Sequence, residues 1–180
     1  MVRRLVAAYH GASAADHAAG ARWYADAEAA ARALAAGTDG AITTDTAAGI
    51  IAALSPRMPW DRNLRLAAEA VDQHMSGRPI TLGAMGTSIA NVERVLRGES
   101  LRAPKIRAFA ANIAGDTAAV TVDVWAARAA TGDPMPDGSN ITPAQYRRIA
   151  AAYTEAAERV GITPRDLQAT VWVAIRGSAS

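Results

Sequence analysis

Two side chains in this sequence have a type and a position suited to covalent chemistry: Lys105 and Asp123. Lys105 is the only lysine among 19 basic residues. An amine can lose its proton and attack carbon, which an arginine guanidinium cannot do. Lys105 follows Pro104, a favoured first-turn residue, so it stands where a cation faces the positive end of a helix macrodipole. Arg102 and Arg107 add like charge on either side. Such a placement works against stability and suits a nucleophile. The same lysine also reads as a solvated side chain at a loop-helix junction. Asp123 precedes a helical Val-Trp-Ala-Ala-Arg run, where an aspartate serves as an N-cap and leaves a carboxylate at the helix entrance.

Chain reach permits the two to meet. A helix from Lys105 to Ala114 advances about 15 Å at 1.5 Å per residue. The segment Gly115 to Val122, if extended, returns about 26 Å at 3.3 Å per residue. Asp123 is therefore expected to open onto the same cleft as Lys105.

The elements that must position them read as helices in succession. A first helix is expected over Ala12 to Ala36, stopped by the turn Gly37 to Gly40. Thr43 or Thr44 caps a buried second helix with Ile50, Ile51 and Leu54, and Pro56 ends it. Asp61 is expected to cap a third helix, with Leu64, Ala67, Ala68, Val71 and Met75 as its apolar stripe and Gly77 as its stop. Thr87 or Ser88 opens a shorter helix with Ile89, Val92 and Leu96 inward. The helix begun at Pro104 carries Ile106, Phe109 and Ile113 to Gly115. Asp123 opens Val124 to Ala130. Thr142 and Gln145 form a capping box ahead of Tyr146, Ile149 and Tyr153. Thr163 and Pro164 open the last helix, with Leu167, Val171, Trp172 and Ile175. Ala119 to Val122 is the one plausible extended piece and is too short to seed a sheet, so the expected class is all-α.

Composition narrows the chemistry further. At 180 residues the chain suits one compact domain, read here as residues 1–180. There is no cysteine, which excludes disulfides, thiolate-bound zinc and iron-sulfur clusters. His10, His17 and His74 have no metal-ligand spacing, so neither metal nor cofactor is expected. The sequence carries no membrane-span pattern and no secretory signal pattern, and a cytoplasmic protein is expected. The formal charge of +2 permits nucleic-acid binding without arguing for it.

The segment Lys105 to Gly115, followed by Val120 to Arg128, resembles the core of the helix-hairpin-helix DNA glycosylases, the superfamily of endonuclease III and 8-oxoguanine glycosylase. There a lysine opens the second hairpin helix and a Val-Asp-x-x-x-x-Arg segment follows at this spacing. Gly49 to Ser55, continuing through Asp61 to Asn63, resembles the first core helix and the loop that reaches into DNA. Leu167 to Gly177 resembles the closing helix. Two features depart from the pattern: the hairpin stretch Ser100 to Pro104 lacks the family's Gly-x-Gly turn, and the four cluster cysteines of one subgroup are missing.

The resemblance implies a helical glycosylase fold, DNA as partner, action as a monomer, and excision of a damaged or modified base flipped from the helix. Lys105 and Asp123 would be catalytic, with an AP-lyase step through a Schiff base on Lys105. Arg57 would sit near the wedge that fills the vacated stack, Trp60 could stack on a displaced base, and Arg102 and Arg107 would contact DNA. Two other readings stay open: a transferase on the same scaffold that modifies a DNA pyrimidine, and a DNA-binding module without catalysis.

Overall fold

The computed structural model describes residues 1–135 and 140–177. All regular structure among them is helical. By internal packing the chain divides into two compact units: Met1–Ala25 with Gly115–Ser180 (unit 1), and Asp26–Ala114 (unit 2).

Unit 2 is built around α3 (Thr44–Leu54), every residue of which from Ala47 to Leu54 is buried. Thr43 caps it, its hydroxyl accepting from the Thr46 amide at 3.1 Å. Against α3 pack α4 (Trp60–Met75), α5 (Gly86–Leu96) and α6 (Pro104–Ile113). Small residues allow the close approach: a Cβ at Gly49 would lie 2.8 Å from a Val95 methyl.

The inner face of α4 differs from the expected stripe. Asn63, Leu66, Ala67, Ala70, Val71 and Gln73 are buried, whereas Ala68 and Met75 face outward. Two polar residues belong inside because they are bonded there. Asn63 Nδ2 donates to the Ile51 carbonyl at 3.0 Å. Gln73 accepts from the Thr81 amide at 2.8 Å and donates to its carbonyl at 3.0 Å. Nor does Asp61 cap α4: Pro59 holds that position without a side-chain bond, and Asp61 sits inside the first turn. Helix α5 likewise starts at Gly86, behind Met85, so neither Thr87 nor Ser88 is its cap.

Unit 1 contains α1 (Val2–Gly11), the start of α2 (Ala14–Ala36), α7 (Val124–Thr131), α8 (Pro143–Val160) and α9 (Pro164–Arg176). Helix α1, absent from the sequence expectation, seats the fully buried Leu5 and packs on α7, α8 and α9. A new start separates α1 from α2. Ser13 Oγ accepts from the Asp16 amide at 3.1 Å, and Asp16 Oδ2 accepts from the Ser13 amide at 2.9 Å. The Ser13 hydroxyl, donating to Oδ2 at 2.7 Å, and the Ser13 amide hold the Asp16 carboxyl below its ordinary range.

The expected capping box at Thr142 and Gln145 is present, and Tyr146, Ile149 and Tyr153 face inward. Thr163 caps α9, which buries Leu167, Ala169, Val171 and Val173; Ile175, expected inside, is exposed.

Candidate functional site

In unit 1 the chain approaches α7 through the buried segment Val120 to Val122. Side chains bond part of its buried backbone. Tyr146, projecting from α8, supplies two bonds: its hydroxyl donates to the Val120 carbonyl at 2.8 Å and accepts from the Val122 amide at 3.2 Å. The Tyr24 hydroxyl lies 3.3 Å from Thr121 Oγ1 and 3.1 Å from Gln168 Oε1. Tyr153 donates to the Ala126 carbonyl in the first turn of α7. Burial pushes the phenols of Tyr24 and Tyr153 well up from their ordinary value, so both stay protonated donors.

This scaffold delivers Asp123 to the N-cap of α7, half-buried, with φ −102° and ψ −174°. Its Oδ1 accepts from the Ala126 amide at 2.8 Å, as capping requires. Its Oδ2 accepts from the Trp172 indole nitrogen at 3.0 Å. No cation among the described residues pairs with this carboxylate. Trp172 is itself flanked by the Trp23 ring, 5.5 Å between centroids, and by the Arg176 guanidinium at 4.7 Å. Trp125 carries the Arg128 guanidinium at 4.4 Å. Trp125 lies on α7 and Trp172 on α9. Both are half-buried, and one of them binds the candidate carboxylate. No spacing rule points to that pair, which is 49 positions apart.

Unit 2 holds the remaining candidates. Lys105 is the second residue of α6, behind Pro104, and Ala103 provides no side-chain cap. Lys105 is half-buried, and among the described residues nothing hydrogen-bonds or ion-pairs with its amine. Arg102 and Arg107 are exposed and make no hydrogen bond or ion pair among the described residues, although Arg102 is near enough to Glu99 to act on its carboxylate. By contrast, Arg94 and Arg97 are engaged with Glu99.

Arg57 lies exposed in the turn between α3 and α4 at φ +56°, a left-handed conformation that costs a non-glycine residue roughly 1–2 kcal/mol. Trp60, at the start of α4, packs against the apolar core of the unit. Thus Arg102, Lys105 and Arg107 cluster at α6, Arg57 and Trp60 flank the α3–α4 turn, and Asp123 belongs to unit 1.

A family model spans residues 1–179. The chain belongs to DUF7178, a family of unknown function. No curated protein and no solved structure matches the chain. Among the described residues of this DUF7178 member, no three His, Cys, Asp or Glu side chains are grouped to hold a metal ion. None of its described helices is long and apolar enough to cross a membrane. Among the described residues it presents, in unit 1, a carboxylate held by two uncharged donors and, in unit 2, an amine and two guanidinium groups that make no ion pair.

Proposed function

We propose that this protein is a DNA base-excision N-glycosylase with an associated AP-lyase step, acting on a damaged or modified base turned out of the helix. The observation that carries the reading is Asp123: a carboxylate held by two uncharged donors, Ala126 N–H and Trp172 Nε1–H, and in no ion pair among the described residues. Breaking a glycosidic bond builds positive charge on the sugar, and a fixed negative charge lowers the energy of that state.

Lys105 is assigned the covalent step. The lone pair of its amine nitrogen attacks C1′ while the base departs with the bonding electron pair and takes up a proton. The attached nitrogen loses a proton to solvent, its lone pair breaks the C1′–O4′ bond, and O4′ takes up a proton, giving a protonated imine. Transfer of a C2′ proton to water then breaks the C3′–O bond and expels the 3′ phosphate, and hydrolysis of the imine frees Lys105. Arg57, Arg102 and Arg107, which make no ion pair among the described residues, suit backbone phosphates.

A panel of duplex oligonucleotides tests the reading, each carrying one uracil, thymine glycol, 8-oxoguanine or 5-hydroxymethyluracil. Release of free base from a member of the panel, with a borohydride-trapped protein-DNA adduct, is the expected result. Turnover only with an added small-molecule donor would indicate group transfer, and binding without product would indicate a module without catalysis.

A further inference from the structure

We propose that Trp172 is a positioning residue for Asp123; the inference rests on the glycosylase reading above. Capping needs only one acceptor oxygen. Thr43, Thr142 and Thr163 each cap a helix with a single hydroxyl. Asp123 meets the same need with Oδ1, on the Ala126 amide at 2.8 Å. The second bond, from Trp172 Nε1 to Oδ2 at 3.0 Å, therefore does something that capping does not. It fixes rotation about the terminal torsion of the side chain, which is broad and two-fold for an aspartate, and so sets the plane of the carboxylate.

The chemistry of the donor matters as much as its place. An arginine in that position would orient the carboxylate and also neutralise it. The indole N–H is a donor without charge, so orientation is gained and the negative charge is kept. The Arg176 guanidinium lies over the Trp172 ring at 4.7 Å, and it makes no ion pair with Asp123. The Trp23 ring, 5.5 Å away and tilted by 32°, restrains the indole in turn. Asp123 thus acts through a charge whose direction Trp172 holds, and Trp172 itself needs no contact with substrate.

The test uses single-turnover base release from the most active oligonucleotide of the panel, with affinity measured separately. Trp172→Phe removes the donor. Replacement of Trp172 by benzothienylalanine removes only the N–H and keeps the ring shape, which guards against loss of fold in the phenylalanine variant. Expected is a rate of base release lowered by roughly 10- to 100-fold in both, as misplacement of a reacting group produces, with DNA affinity unchanged within about twofold. Wild-type rates in the benzothienylalanine protein would overturn the positioning role while leaving the glycosylase reading intact. No base release by the wild-type chain from any oligonucleotide would overturn that reading and this inference together. A loss of affinity equal to the loss of rate would assign Trp172 to binding and overturn the proposal.

Discussion

A side-chain carbon at Gly20 of α2 would lie 2.6 Å from the Cα of Thr170 in α9. Neither backbone can yield easily, so glycine is required at this crossing. Gly20→Ala is expected to destabilise the chain by about 1–3 kcal/mol, as overpacking does. Trp172 stands two residues beyond Thr170, so the displacement should also reach the Asp123 bond. A thermal melt equal to that of the unchanged chain would show that α2 and α9 do not pack this closely.

The two buried phenols make alkaline stability a test of the scaffold behind Asp123. Tyr24 and Tyr153 have their ionisation pushed above the ordinary value of 10.0, chiefly by burial. The folded chain thus favours the protonated phenols. Their contribution is complete below about pH 10 and is lost as pH rises toward the raised folded values. Urea unfolding followed across that range should show stability falling above about pH 10, with a shallower fall in Tyr24→Phe and Tyr153→Phe. The same slope in both variants as in the parent would contradict their burial.

Local chemistry made much of the fold legible. The caps Thr43, Asp123, Thr142 and Thr163 follow from a side-chain oxygen at the right offset from an apolar period, and each is present. Boundaries set by tertiary packing were harder to read. Pro59, with no side-chain cap, precedes α4 where Asp61 was expected, and Asn63 and Gln73 take inner positions because distant backbone groups bond them. Helix α1 has Val2, Leu5, Val6 and Tyr9 at helical spacing, a signal that the sequence reading passed over. For the site, the position of Asp123 was legible and its second partner was not, since a bond across 49 residues leaves no periodicity.

Binding should respond to salt through the free arginines. Arg57 and Arg102 are exposed and make no ion pair among the described residues. If each meets a phosphate, the slope of log affinity against log salt should shrink by up to about 0.9 per residue in the Arg57→Ala, Arg102→Ala double variant. An unchanged slope would remove both from the DNA-contacting surface.

Lys105→Arg separates charge from nucleophilicity. Arginine keeps the cation and lacks an amine that can attack, so borohydride trapping and strand cleavage should vanish while DNA affinity stays within a few fold. Trapping that persists in this variant would move the nucleophile elsewhere.

If the negative charge of Asp123 drives excision, Asp123→Asn removes the driving group. An asparagine has one acceptor oxygen for two donors, the Ala126 amide and the Trp172 indole, so the substitution should cost about 1–3 kcal/mol of stability while leaving the fold in place. The measurement is single-turnover release of free base by parent and variant on one oligonucleotide, each first checked for a cooperative melt. A fall of at least about 100-fold is expected in the folded variant, the scale seen when one electrostatic stabiliser is removed. Excision at the parent rate by well-folded Asp123→Asn would contradict it.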